Sequence, residues 1–251
     1  MAALPFGRAV LFTHAWQPEA PVAGLEVVDV GPIDSAAAYS QFVMRGLDAH
    51  ITTPFVLVTQ WDGFVIHPEA WSDDFLQYDY IGAPWADQPA ALSVGNGGFS
   101  LRSQRFLRAG HDSRIVDVHP EDEVLCRTWR TMLTDEYQLR FAPPALAARF
   151  AFENTTPRDS TLGFHGPYHL PRFLDETTLR DWIAALPDGF FRSRDARRLA
   201  RALLARRMPG AATELLRRRR AAGRNDINTH LLGAAASALG LLTPGARGLR
   251  L

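Results

Sequence analysis

The apolar and polar positions divide the chain into two differently patterned stretches. Residues 8–13, RAVLFT, form a short apolar run of the kind that fills a buried strand, and EVVDV at 26–30 predicts a second. A loop rich in Pro, Ala and Gly separates them. Ser35 stands before Tyr39, Phe42, Val43 and Leu47, which recur at helical spacing, so Ser35 predicts an N-cap. Phe55 to Val58 predicts a strand buried on both faces, continuing through Thr59 and Gln60 and stopping at Trp61-Asp62-Gly63. The segment VGNGGFSLRS, 94–103, reads as a glycine loop that leads into a strand of Phe99 and Leu101, with a helix start over Ser103 to Leu107. Pro120 to Leu133 predicts one helix carrying Val124, Leu125, Trp129 and Met132, and Leu139 to Phe141 a short strand. Strands alternating with helices argue for an α/β sheet with parallel members.

From about Leu174 the pattern changes. Aromatics thin out, while Ala, Leu and Arg dominate. Ser193 predicts the N-cap of a helix with a stripe of Ala196, Leu199, Ala200, Leu203 and Leu204. Pro209-Gly210 punctuates, a second helix runs from Ala211 to Ala222 and closes at Gly223, and Asn225 predicts the cap of a third that ends at Gly240. Helix, turn and helix at this spacing weakly resemble a tetratricopeptide-type hairpin. The division is placed at residue 172: an α/β domain over 1–172 and a small all-α appendage over 173–251.

Composition narrows the function classes. The 251 residues are 47% hydrophobic, enough for a sizeable core, and 27 basic residues, all Arg, balance 27 acidic ones. That balance gives no global pointer to nucleic acid. A single cysteine, Cys126, rules out an internal disulfide. No signal-peptide pattern and no bilayer-length apolar run stand out, so the expected location is cytoplasmic, or peripheral at the inner membrane surface. The run Arg217–Arg220 invites a nucleic-acid or anionic-membrane reading. Four consecutive helical residues point all round the axis, however, so the run predicts a solvated helix end with the Arg219 stem partly covered.

Four stretches carry candidate chemistry. Asp62 ends a buried strand, where ligands of open α/β sheets are bound, and its carboxylate could hold a divalent cation that bridges a diphosphate; a turn aspartate is the plain alternative. Gly95-Asn96-Gly97-Gly98 lets backbone approach a ligand closely, or makes a tight strand connection. His119-Pro120-Glu121-Asp122-Glu123 puts acids at a helix N-terminus, where they suit the dipole or where Glu121 or Asp122 serves as a general base. Gly163-Phe164-His165-Gly166 offers an imidazole between two glycines.

The phrases YSQFVMRGL, HITTPFVLVTQWDGFVIHPEAW, YDYIGAPW, VGNGGFSLRS, HPEDEVLCR, RFAPPALAARFAFE and GFHG, in this order, closely resemble a bacterial family catalogued as domain of unknown function 5672 and regarded as candidate glycosyltransferases. That family in turn resembles nucleotide-sugar transferases of the GT-A type, which implies a Rossmann-type mixed sheet flanked by helices. The resemblance also implies transfer of a sugar from a nucleotide-sugar donor to a hydroxyl of a glycan or glycolipid, with inversion and a carboxylate base. Carried over by position, Asp62 with Trp61 and Gly63 takes the donor diphosphate or metal, and His165 completes that site. Trp85, Asn96, Gly97 and Gly98 shape the acceptor side, and Asp122 or Glu121 is the base. Two departures stand out. Trp61-Asp62-Gly63 replaces the paired carboxylates of an Asp-x-Asp site, which bears on any Mn²⁺ or Mg²⁺ requirement. Residues 1–7 are also too few for the strand and helix that usually precede RAVLFT. The competing expectation is a non-catalytic, degenerate transferase domain that binds a protein partner through its helical tail.

Overall fold

The structure is a computed structural model that describes residues 4–157 and 160–242. It divides into two compact units, 1–165 and 166–251, parting at Gly166 rather than at the composition shift near 173.

Among its described residues, unit 1 is a mixed α/β assembly with three small sheets. Strands β1 (Ala9–Thr13) and β2 (Leu25–Asp29) pair in parallel. Helix α1, Ala36–Arg45, follows, with Ser35 Oγ accepting the Ala38 N–H as its N-cap. Strand β3 (Phe55–Thr59) is then an edge of a three-stranded sheet ordered β3-β5-β4, with β4 at Tyr80–Gly82 and β5 at Phe99–Ser103. Both pairings in this sheet are antiparallel, which corrects the parallel expectation there. The central strand is β5, whose five residues are all buried, whereas β3 is half-buried along its length. An unbroken apolar run such as FVLV does not distinguish a central strand from an edge strand covered by a helix.

Ser103 caps α2, Gln104–Ala109, through the Phe106 N–H. The segment expected as one helix from Pro120 is α3 (Glu121–Glu123), a π-turn over Val124–Thr128 closed by Trp129 N–H on the Val124 carbonyl, and α4 (Arg130–Asp135). The widened turn accompanies three consecutive buried residues, Val124, Leu125 and Cys126. Residues 139–141 are not a strand; Phe141 makes only an isolated bridge to Tyr80. Helix α5 (Pro144–Phe150) leads into β6 (Ala151–Phe152), which pairs in parallel with β7 (Gly163–Phe164). The core gathers Phe75, Tyr80, Ile81, Phe99, Phe106, Leu133 and Phe150.

Unit 2 is helical: a 3-10 turn at Pro167–Arg172, then α6 (Glu176–Ala185), α7 (Asp188–Phe191), α8 (Arg194–Ala205), α9 (Pro209–Ala221) and α10 (Ile227–Leu242). Ser193 caps α8 as expected, but the first turn of α10 is held by Asp226, which accepts from the Thr229 N–H, and not by Asn225. The four-arginine run also departs from the solvated helix end. Arg219 is buried and donates to the Phe191 and Ser193 carbonyls and to Thr229 Oγ1. Arg218 donates to the carbonyls of Ile183, Ala184 and Leu186 and stacks over Phe191. The ends of α6 and α7 leave carbonyls that need donors, and the planar fork of Arg reaches several at once.

Candidate functional site

The four stretches singled out in the sequence meet in unit 1. Gly63 follows Asp62 because a Cβ at 63 would lie 2.3 Å from the Phe164 carbonyl oxygen, so β7 can approach only a glycine. That approach sets His165 beside Asp62, with Nε2 3.3 Å from Asp62 Oδ1. The same nitrogen lies 3.1 Å from Gln60 Oε1. On the other side of the ring, Nδ1 lies 3.2 Å from Asn96 Nδ2 and 3.7 Å from Glu153 Oε1. Asn96 Nδ2 also donates to Glu153 Oε2 at 3.0 Å. With Asn96 donating to Nδ1, the ring proton sits on Nε2 and faces Gln60 and Asp62. Burial pushes the His165 pKa down, but the bond to Asp62 and the charges of Asp62, Glu153 and Asp122 outweigh it, and the net shift is upward.

The glycine loop is packed against this cluster instead of standing open. A Cβ on Gly98 would meet the His165 ring at 2.3–2.5 Å, and one on Gly97 would lie 2.6 Å from Glu121 Oε1 and 3.0 Å from both Arg102 Nη2 and Asp122 Cβ. Trp85 closes over Gly95 in the same way, whereas Trp61 is exposed. The close approach that the loop permits is thus made by the protein's own side chains.

The two acids of α3 have different settings. Glu121 is buried and spoken for: Oε1 accepts from Arg102 Nη2 at 3.2 Å and Oε2 from Ser40 Oγ at 3.3 Å. Arg102 is itself fully buried, donating to Ser100 Oγ and to the Gly97 carbonyl. This ion pair braces the loop from beneath. Asp122 accepts from the Gly97 N–H at 3.1 Å and the Glu123 N–H at 2.8 Å. Burial, and next the charge of Glu121, push its pKa up to about 6 against the restraint of those bonds and of Arg102. A carboxylate so poised is suited to taking a proton near neutrality.

Two buried side chains here keep an oxygen with unmet acceptor capacity: Asn96 Oδ1, on a residue 5% exposed, has no hydrogen-bond partner, and Asp62 Oδ1, on one 6% exposed, has only the His165 Nε2 contact at 3.3 Å. The Tyr39 hydroxyl is in the same condition, and burial, then the Glu121 charge, push its pKa up to about 12. Unmet acceptors at such depth are costly unless a ligand supplies the donors. What they ask for is an O–H or N–H donor. A divalent cation fits less well. Nε2 of His165 is turned to Asp62 and Gln60 as a donor, and among the described residues no three of His, Cys, Asp and Glu are grouped to hold a metal ion.

Gln60, Arg102, Tyr39, Ser40 and Glu153 were not marked by sequence reasoning. Gln60 and Glu153 each end or follow a strand in a quoted phrase, VTQWDG and FAFE, and a polar residue at such an end was the available signal. Two cavities lie away from this cluster. One of about 440 Å³ is lined by Phe55, Tyr78, Ser103 and Arg140 at the other end of the three-stranded sheet, and one of about 340 Å³ lies in unit 2.

The family model for proteins of unknown function DUF5672 matches residues 24–165, more than half of the chain, and the chain belongs to that family. No curated protein and no solved structure matches it.

Proposed function

We propose that unit 1 is a glycosyltransferase domain that moves a sugar from a nucleotide-sugar donor to a hydroxyl of a glycan or glycolipid acceptor, with Asp122 as general base. The observation that carries this reading is a pair of buried oxygens with unmet acceptor capacity, Asp62 Oδ1, which faces only His165, and Asn96 Oδ1, one residue from the glycine whose N–H meets Asp122. Acceptor atoms of that kind suit the hydroxyls of a sugar ring. They do not suit a bare diphosphate, which the carboxylates of Asp62, Glu153 and Asp122 would repel. Asp62 therefore reads as a ligand for sugar hydroxyls, with His165 positioning it.

In the step proposed, Asp122 takes the proton of the acceptor hydroxyl as its oxygen attacks the anomeric carbon. The bond from that carbon to the diphosphate breaks, and the nucleoside diphosphate leaves with the electron pair. Inversion follows from a single displacement. Glu121 is not the base, because its two oxygens are held by Arg102 and Ser40. GT-A architecture and nucleotide-sugar binding belong to this proposal.

A second reading keeps a specific support. The glycine loop is filled by His165 and Trp85, as in a domain that binds without turning over. A screen of nucleotide sugars, with transfer and donor hydrolysis followed by mass spectrometry with and without Mn²⁺, separates the two. Turnover lost in Asp122→Asn and weakened in Asp62→Asn supports the transferase. Sugar binding with no turnover for any donor supports the binding domain.

A further inference from the structure

The zero net charge of the chain conceals a partition. Residues 1–165 carry 11 Arg against 20 carboxylates, and residues 166–251 carry 16 Arg against 7, so the helical unit has a formal excess of nine positive charges. The four-arginine run does not present this charge as a patch, since Arg218 and Arg219 are consumed inside the unit and Arg217 pairs with Glu214. The exposed arginines are elsewhere, among them Arg206 and Arg207 in the turn between α8 and α9, and Arg220 and Arg224 near the turn into α10.

Helix α10 has no Asp, Glu, Lys or Arg in its sixteen residues. At about 100° per residue, Ile227, Leu231, Ala234, Ala235, Ala238, Leu241 and Leu242 fall within an arc of about 120°. Thr229 and Ala236, the buried positions, lie on the opposite side. The arc is open to solvent: Ile227 is 68% exposed, Leu231 62%, Leu241 89% and Leu242 79%. The arginine nearest the helix lies on its packed side: a Cβ on Gly233 would meet Arg220 Nη2 at 2.0 Å, and one on Gly240 would lie 3.8 Å from Pro209, just after the turn that carries Arg206 and Arg207. Both glycines fall on the side of Thr229 and Ala236, so the positive charge belongs to the unit that presents the arc and not to the arc itself.

We propose that the outer face of α10 docks on an anionic lipid surface, with Leu231, Leu241 and Leu242 entering the headgroup region and the exposed arginines meeting acidic lipids. An exposed, uncharged apolar arc on a unit with so large an excess of arginine combines the two contributions that hold a protein on an acidic bilayer, apolar burial and attraction to anionic headgroups. Complementary charge selects the anionic bilayer. A nucleic acid would use the arginines and leave the leucines in water, and a second copy paired α10 to α10 would bring the two positively charged units together.

The test is co-sedimentation of the full chain with vesicles of phosphatidylcholine alone and of phosphatidylcholine and phosphatidylglycerol in equal parts. Binding to the mixed vesicles, weakened by salt and absent from the neutral ones, is expected. The triple variant Leu231→Gln, Leu241→Gln, Leu242→Gln replaces exposed side chains, so circular dichroism should be unchanged, and affinity should fall about tenfold or more. Arg206→Gln with Arg207→Gln should weaken binding by about fivefold for each arginine. The proposal is overturned by binding to neither vesicle, by equal binding to both, or by binding that the leucine variant leaves intact. A dimer in light scattering that this variant abolishes, with no vesicle binding, would overturn it in favour of self-association. Salt-sensitive binding to a mixed-sequence duplex that the leucine variant retains would overturn it in favour of nucleic acid.

Discussion

Replacing Asp122 by Asn should abolish transfer and raise stability at once. Burial and the Glu121 charge lift this carboxyl from 3.8 to about 6. That interval corresponds to about 3 kcal/mol by which the folded chain disfavours the ionised form, and partial exposure of the group trims it to roughly 2 kcal/mol. Asn carries no charge, so it escapes this cost, but it has one acceptor oxygen where Asp122 has two. One of the bonds from the Gly97 and Glu123 N–H groups is then lost, but their support for the ionised form is already contained in the net shift. The net gain is about 2 kcal/mol at pH 8, a rise in Tm of about 4–8 °C for a domain of this size. The sign follows from proton binding. Between 3.8 and about 6 the folded chain holds more protons on this group than the unfolded one, so wild-type stability falls as pH rises through that window and stays low above it. The Tm gap should therefore open through that window and close below pH 4. Scanning fluorimetry of both proteins from pH 3 to 8 reads it directly. In parallel, wild-type transfer should fall about tenfold per pH unit below 6, and the variant should lose about a hundredfold or more at every pH while still binding donor. A Tm gap that ignores pH, or a variant less stable at pH 8, would refute the argument from burial; retained transfer would remove Asp122 from the chemistry.

Gly98→Ala would drive a methyl to within 2.5 Å of the His165 ring, so a loss of about 1–3 kcal/mol in urea unfolding is expected, together with weakened sugar binding as the ring leaves Asp62; unchanged stability would show that the contact has slack. Glu121→Gln leaves Arg102 charged and buried beside a neutral partner, which should cost about 3 kcal/mol, and by removing a neighbouring charge it should shift the low-pH limb of the transfer profile to lower pH; a profile that stays put would separate Glu121 from Asp122 electrostatically. Arg219→Met strips the donor from two carbonyls and the Thr229 hydroxyl and should destabilise unit 2 by about 3 kcal/mol, while Arg217→Gln should fall within about 0.5 kcal/mol of wild type; equal effects would contradict the buried role of Arg219.

The local elements were legible where a cap or an apolar run acts alone. Ser35, Ser103 and Ser193 cap their helices because a hydroxyl after an extended residue satisfies an orphan N–H whatever surrounds it. Strand pairing was not legible. Nothing within FVLVT tells whether it joins β5 in parallel or antiparallel, or at an edge, since that depends on residues some forty positions away. The π-turn at Val124–Thr128 was hidden too, because a regular helix and one with an inserted residue share most of their apolar positions. Arg219 misled for a related reason. Its periodicity placed it at the border of the stripe, while its burial was decided by the Phe191 and Ser193 carbonyls where α7 passes into α8.

The site shows the same division between what a phrase says and what only a fold can say. Glycine beside Asp62 and the glycines at 97 and 98 were read as room for a ligand. In the structure each is room for a particular neighbour: the Phe164 carbonyl, the Glu121 carboxylate and the His165 ring. A sequence records that a Cβ is absent, not what occupies the space. Those neighbours bring four distant stretches together, and in doing so they leave Asp62 Oδ1 and Asn96 Oδ1 buried with unmet acceptor capacity. Filling the glycine spaces and starving the acceptors are two results of one packing arrangement. The ligand demand of this site therefore lies in its oxygens and not in its loop. Under the proposed function a ligand brings O–H or N–H donors to Asp62 and Asn96, and a change at Gly97 or Gly98 acts by moving His165 or Asp122 and not by blocking an open cradle.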